Sequence, residues 1–375
     1  MVGVAGFEPA TPASRTQCST GLSHTPTKTA AYSVAFHAPQ GADFGDFEPV
    51  TTGLTTEISP AGEAEVAQAA RALAEGRLVA FPTETVYGLG ADATNADAIA
   101  RLYQAKGRPA FNPLISHVAD LAAAEKIARF DAPALALARA FWPGPLTLVL
   151  PKTRDCTVAE LATAGLDTIA IRIPSHPVAR AILHAFGKPV VAPSANISGH
   201  VSPTTAQQVE SDLTGRIDLI VDGGPVKVGV ESTIVGCFEE PVLLRPGGLP
   251  REEIERVLGR ALLQPPSDVE NDSAQPLAPG MLTSHYAPRT RVRLNATDIA
   301  PGEALLAFGS PLKDAERAAA VMNLSERGDL NEAAARLFGY LRALDARMAQ
   351  TIAVMPIPNH GLGEAINDRL RRAAA

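Results

Sequence analysis

The sequence predicts an α/β protein made of two folded units joined by a proline-rich connector. Helix-spaced and strand-like apolar runs alternate from Glu63 to Leu258. Residues 261–288 hold Pro265, Pro266, Pro276, Pro279, Gly280 and Pro288 with few large apolar side chains, and a shorter alternation resumes between Ala304 and Arg372. A chain of 375 residues, 46% hydrophobic and 19% charged, is long enough to bury two cores.

The elements follow in order. Val66, Ala70 and Leu73 recur at helical spacing over Glu63–Glu75, and Gly76 stops that helix before a strand at Leu78–Phe81. Pro82 to Gly90 reads as a polar, glycine-rich turn, where binding residues often sit. A helix from Asn95 to Ala105, with Ile99, Leu102 and Tyr103 inward, delivers Lys106 and Arg108. Strands are expected at Leu114–Val118, Leu146–Leu150, Thr168–Ile173, Pro189–Ala192, Leu219–Val221, Thr233–Val235 and Val242–Leu244. Helices are expected within Leu121–Phe141 and over His176–Phe186, Thr204–Leu213 and Arg251–Leu258. Beyond the connector, strands at Ala304–Phe308 and Thr351–Ile357 alternate with helices at Asn331–Met348 and Glu364–Arg372.

Composition excludes several classes. No apolar run reaches the roughly 20 residues of a membrane span, and no secretory leader is visible, so a cytoplasmic protein is expected. Cys18, Cys156 and Cys237 lack paired spacing, which argues against disulfides or a thiolate zinc site. A net charge of -7 argues against broad nucleic-acid binding. Residues 1–56 read as disordered or as a spurious extension: no methionine follows Met1 until Met281, and translation is expected to start near Val50.

The candidate chemistry lies in scattered cations. Lys106 and Arg108 flank a glycine at a helix end, Arg172 sits inside the apolar run Ile169–Ile173, and Arg245 ends another. A cation in a core strand is costly unless an anion of protein or ligand pairs with it. Ser194 and Asn196 can add neutral hydrogen bonds, or merely form a turn. Thr204 beside Pro203 has the look of a helix N-cap, His117 that of a half-buried strand histidine, and Tyr286 that of a surface anchor. There is no Walker A loop, dinucleotide fingerprint, Ser/His/Asp order or metal-ligand cluster, which leaves catalysis by positioning and electrostatics.

In order along the chain stand FPTETVYGLG, KGRPAFNPLISHV, WPGPLTLVL, IAIRIP, APSANISGHVSPTTAQQV, ESTIV and LLRPGG, then PGMLTSHYAP and LSERGDLNEAAARLFGYLRALD. This set resembles the YrdC/Sua5 family in its long form. The resemblance implies a YrdC-like twisted mixed sheet with flanking helices and a central basic cavity at 57–259, a linker or lid at 260–288 carrying His285 and Tyr286, and a small Rossmann-like Sua5 domain at 289–375. It also implies L-threonylcarbamoyladenylate synthase activity: L-threonine, bicarbonate and ATP give threonylcarbamoyl-AMP and pyrophosphate for the tRNA t6A37 modification. Lys106 and Arg108 are the implied catalytic pair. The implied ATP contacts are Arg108, Asn112, Thr168, Asn196, Thr204, Arg245 and Tyr286; those to L-threonine are Thr85, His117, Arg172, Ser194 and Ser232. Mg2+ would accompany ATP without a protein ligand standing out. A monomer is expected, with weak tRNA contact and a threonylcarbamoyl transferase complex receiving the product. The alternative is a non-catalytic RNA-binding module of the same fold, against which the acidic balance weighs.

Overall fold

The computed structural model describes residues 54–264 and 286–375. The expected extension up to residue 53, the start near Val50, Cys18, and the connector from 265 to 285 with His285 lie outside the described residues.

Ten strands form one mixed sheet: β1 (Glu57–Pro60), β2 (Val79–Pro82), β3 (Tyr87–Asp92), β4 (Ile115–His117), β5 (Leu146–Pro151), β6 (Thr168–Arg172), β7 (Val190–Val191), β8 (Leu219–Asp222), β9 (Thr233–Cys237) and β10 (Pro241–Arg245). Their spatial order is β1-β8-β2-β3-β7-β4-β6-β5-β9-β10. β8 therefore lies between β1 and β2, parallel to both. The helices are α1 (Glu63–Ala74), α2 (Ala96–Lys106), α3 (Leu121–Ile127), α4 (Ala132–Phe141), α5 (Glu160–Thr163), α6 (Pro177–Phe186), α7 (Ala206–Leu213) and α8 (Arg251–Leu258).

The segment expected to be a turn is half strand. Only 83–86 turn; Tyr87 to Asp92 is β3, antiparallel to β2. Its glycines mark close approach rather than a bend: a Cβ on Gly90 would lie 2.6 Å from a ring carbon of Phe81. Thr204 is not the cap of α7. Thr205 takes that place, its side chain accepting from the Gln208 N–H, while Thr204 donates its own N–H to the Gln208 side-chain oxygen at 2.7 Å.

α2 is built as its sequence requires. The Asn95 side chain accepts from the Asp97 and Ala98 N–H groups; Ala98, Ile99, Leu102 and Tyr103 are buried; and Gly107 ends the helix in the left-handed region at φ 58°. That turn sends Lys106 and Arg108 inward together.

Alternation along the strands divides the sheet's two faces. Leu114, Leu148, Leu150, Ile169, Ile171 and Val235 join the main helix-covered core. Ile115, Val149, Ala170, Ile234 and Leu244 form a small cluster of their own. The cations of the site stand beside this second cluster.

A second, parallel sheet is ordered β11-β14-β12-β13, from β11 (Arg291–Arg293), β12 (Glu303–Ala307), β13 (Val321–Asn323) and β14 (Thr351–Val354). α9 (Leu330–Asp345) and α10 (Leu362–Ala374) accompany it. One apolar cluster joins its core to the first sheet's loops, with Val86, Val201, Val230 and Tyr286 packed among Leu337, Phe338 and Leu341. Arg342 donates to the Val201 carbonyl and pairs with Asp212 at 2.7 Å, and Arg251 pairs with Glu364. At Gly229, φ +80°, a Cβ would stand 2.3 Å from the Ala334 carbonyl oxygen, so this loop lies directly on α9. Among the described residues no helix is long and apolar enough to cross a membrane.

Candidate active site

A cavity opens on the sheet face that carries Ile115. Period-two alternation brings Ile115 and His117 of β4, Arg172 of β6, and Ala192 and Ser194 after β7 to its floor. Thr85 and Val86 enter from the turn before β3, Glu231 and Ser232 precede β9, Arg245 ends β10, and Arg108 and Tyr286 complete the wall. Its interior is about 50 Å³, room for a few water molecules.

Lys106 is buried behind this wall. Its Nζ donates to the Ser194 carbonyl at 2.6 Å and the Asn196 carbonyl at 2.5 Å, tying the end of α2 to the loop after β7. Arg108 donates to the Asn112 carbonyl at 3.4 Å and the Pro113 carbonyl at 3.0 Å. Among the described residues neither cation has a carboxylate at ion-pair distance. Burial, and then Arg108 beside it, holds Lys106 well below its usual 10.5; burial brings Arg108 down to about 10. Two buried cations whose partners are carbonyls and the Tyr103 side chain, with no carboxylate among the described residues, form an attractive site for an anion.

Arg172 has its anion within the protein. Its Nη2 lies 2.5 Å from Glu84 Oε1, and its Nε donates to the Gly144 carbonyl at 3.3 Å. Burial alone would raise the Glu84 carboxyl. The attraction and hydrogen bond of Arg172, with backbone N–H groups including that of Ser175 at 2.9 Å, bring it below its usual 4.5. Next to Arg172, His117 Nδ1 is 3.2 Å from the Ile115 carbonyl. Burial first, and Arg172 second, push its pKa down to about 3. The imidazole is neutral at physiological pH.

The far wall is a hydroxyl and guanidinium array. Ser232 Oγ is 2.8 Å from Thr147 Oγ1, and Arg245 donates through Nη2 to the Ser232 carbonyl at 2.9 Å. Thr85 Oγ1 is 2.8 Å from Thr83 Oγ1. Tyr286 is buried rather than on the surface; it adopts φ +65° and stacks on Phe338 with ring centroids 5.6 Å apart.

Of the residues implied by the sequence, Thr85, Arg108, His117, Arg172, Ser194, Ser232, Arg245 and Tyr286 line the cavity. Lys106 and Asn196 stand directly behind it through the bonds to the 194–196 carbonyls. Asn112 is buried at the base of the Arg108 turn; its Oδ1, like that of Asn196, is buried without a partner. Thr168 lies at the opposite end of β6 from Arg172, and continuing the Ile115–Ala170 register back two residues puts it level with Pro113. Thr204 hydrogen-bonds to the Gln208 side chain and is not among the lining residues.

Residue types alone did not single out Glu84 and Glu231, both buried within short motifs otherwise recognised for their threonines and serine. The usable signal for Glu84 was Arg172, since a cation inside a core strand demands a nearby carboxylate. Arg369, fully buried and bonded to Glu231, comes from α10, more than 130 residues away in sequence, and no local pattern points to it.

Two family models cover this architecture. The Sua5/YciO/YrdC model, described as telomere recombination, matches residues 71–247, and a model described as threonylcarbamoyl-AMP synthase, C-terminal domain, matches 249–375. This chain belongs to the Sua5/YciO/YrdC family. Family relatives include the threonylcarbamoyl-AMP synthase of Bacillus subtilis, 42% identical over 336 residues, covering 86% of this chain and 96% of the relative. That of Pyrococcus abyssi is 44% identical over 324 residues, covering 82% and 93%. The crystal structure of P. abyssi Sua5 complexed with L-threonine matches with TM-score 0.76 and 40% identity over 86% of this chain and 97% of that one. The two models together reach both sheets, the first by the Sua5/YciO/YrdC model and the second by the C-terminal-domain model.

Proposed function

We propose that this chain is an L-threonylcarbamoyladenylate synthase: it converts L-threonine, bicarbonate and ATP into threonylcarbamoyl-AMP and pyrophosphate for tRNA t6A37 modification. The observation that carries this is the juxtaposition, on one cavity, of anion-attracting Arg108 with Arg172 and a neutral His117, with the Lys106 cation directly behind the wall. The naming of its relatives and the threonine complex of the P. abyssi protein support the same reaction.

In this scheme Arg172, already oriented by Glu84, holds the threonine carboxylate. Thr85 and Ser232 offer hydroxyl partners that favour a substrate bearing its own side-chain OH. The free amine of threonine, with an unperturbed pKa of about 7.7–8.0, is partly neutral near pH 7 and attacks CO2 formed from bicarbonate. A C–N bond forms and a proton leaves, giving the carbamate. A carbamate oxygen then attacks the α-phosphorus of ATP, and the bond to the β-phosphate oxygen breaks. Negative charge moves onto the leaving pyrophosphate, where Lys106, Arg108 and Arg245 provide fixed positive charge in a water-poor site.

Mg2+ travels with ATP. Among the described residues there is no cluster of three or more His, Cys, Asp or Glu suited to a metal, and the nearby carboxylates, Glu231 on the cavity wall and Glu84 beside Arg172, are held by arginines. The residues present therefore do not make a protein cage for the ion, and its ligands would be phosphate oxygens and water. We further assign the protein to the cytoplasm as a monomer, passing its product to a threonylcarbamoyl transferase complex with at most weak tRNA contact.

The test is pyrophosphate release from ATP with bicarbonate, comparing L-threonine, L-serine and no amino acid. Release that requires threonine and bicarbonate is expected. Absence of release from folded protein with every amino acid, together with salt-dependent tRNA binding, would replace the enzyme with the RNA-binding module.

A further inference from the structure

Arg369, on α10 of the second sheet's domain, is fully buried beside the cavity of the first. Its Nε donates to Glu231 Oε2 at 2.8 Å, and its Nη1 donates to the Pro246 carbonyl at 3.0 Å and to Asp368 Oδ2 at 2.5 Å. Its guanidinium carbon stands 5.2 Å from the Tyr286 ring centroid. Three of these partners belong to or adjoin the cavity wall: Glu231 and Tyr286 are part of it, and Pro246 follows Arg245. One planar cation therefore fixes three separate stretches of chain relative to one another.

The local packing makes this connection stiff. Glu231 uses its other oxygen to accept from Ser202 Oγ at 2.5 Å, and its carbonyl accepts from Gly248 N–H at 2.8 Å. The 246–248 turn lies so close to β9 that a Cβ on Gly247 would meet the Ser232 carbonyl carbon at 2.3 Å. Arg369 closes this arrangement from the C-terminal side, and its guanidinium has the fork geometry that a lysine lacks.

We infer that Arg369 is a positioning residue for adenylate formation: α10 reaches across to set the placement of Arg245 and Tyr286, so the C-terminal domain is part of the catalytic apparatus. The inference rests on the synthase reading above. It places the effect on the pyrophosphate-leaving side of the site, because Arg172, Glu84 and His117 are held by contacts that do not include Arg369.

The experiment uses the full chain with Arg369→Lys and Arg369→Gln, measuring threonine-dependent pyrophosphate release at saturating substrates, KM for ATP and threonine, and threonine binding by calorimetry. In both variants kcat should fall at least tenfold, with threonine affinity within about twofold of wild type. Arg369→Lys keeps a positive charge facing Glu231 and carries the test if Arg369→Gln does not fold. Wild-type kcat in folded Arg369→Lys would overturn the inference, as would an equal loss of threonine binding and turnover, which marks general loosening instead of positioning. A wild-type protein that releases no pyrophosphate would overturn the synthase reading itself, a result distinct from either variant outcome.

Discussion

Glu84→Gln should make the protein less stable and its grip on threonine stronger. In the wild type, Glu84 and Arg172 are buried and 2.5 Å apart, and the second Glu84 oxygen accepts the Ser175 N–H. Neutralising one member of a buried pair costs about 3–5 kcal/mol. A glutamine carbonyl can still accept from Arg172, but its NH2 would face the Ser175 N–H, donor against donor, so a loss of about 3 kcal/mol is expected. For threonine the sign reverses. Two carboxylates sharing one guanidinium stand roughly 6–7 Å apart and repel by about 2.5 kcal/mol at an effective dielectric of 20. Removing one should tighten threonine binding about tenfold or more, allowing for partial screening of that repulsion. Urea unfolding followed by the fluorescence of Trp142, the chain's single tryptophan, reads the first effect, and calorimetry with threonine the second. Unchanged or weaker threonine binding in folded Glu84→Gln would refute the assignment of Arg172 as a clamp already neutralised by the protein.

Three other outcomes follow from contacts already described. Lys106→Met removes the cation and its hydrogen bonds to the Ser194 and Asn196 carbonyls; kcat for pyrophosphate release should fall about 100-fold or more, checked by steady-state kinetics on protein with a native far-UV spectrum. His117 is held near 3 in the folded protein against an ordinary 6.5, so the unfolded chain binds the extra proton first as pH falls. Stability should therefore be lost between 6.5 and about 3, at up to about 1.4 kcal/mol per pH unit from this residue, and denaturation curves of His117→Asn should be flatter there. Gly229→Ala drives a methyl into the Ala334–Ala335 backbone at positive φ and should destabilise by about 2–3 kcal/mol, measured by urea midpoint.

How far the sequence disclosed this molecule depended on the range of the forces involved. α2 was readable because its cap, its inward face and its terminating glycine all lie within thirteen residues of one another. β3 was hidden because Gly88 and Gly90 mimic a turn, and what makes them strand residues is the proximity of Ala192 and Phe81. β11 and β13, three residues each, exist through parallel pairing with β14 and β12 and carry no pattern of their own. In the site, the buried setting of Arg172 was legible from its apolar neighbours, whereas the seating of Tyr286 depends on Phe338 and Arg369, which only the tertiary fold brings near. Thr204 was misplaced by one residue because two adjacent threonines both follow Pro203, and local chemistry does not choose between them.

The interleaving of β8 between β1 and β2 has a consequence for how the protein is made. When β1 and β2 have left the ribosome, the slot between them is open, and its filler lies about 140 residues downstream. At roughly 5–20 residues per second, that slot waits on the order of 10–30 seconds with unpaired strand edges on both sides. Nascent chains in this interval are the form most exposed to mispairing, and a chaperone that shields strand edges would act on them before any catalytic residue beyond β8 has been synthesised.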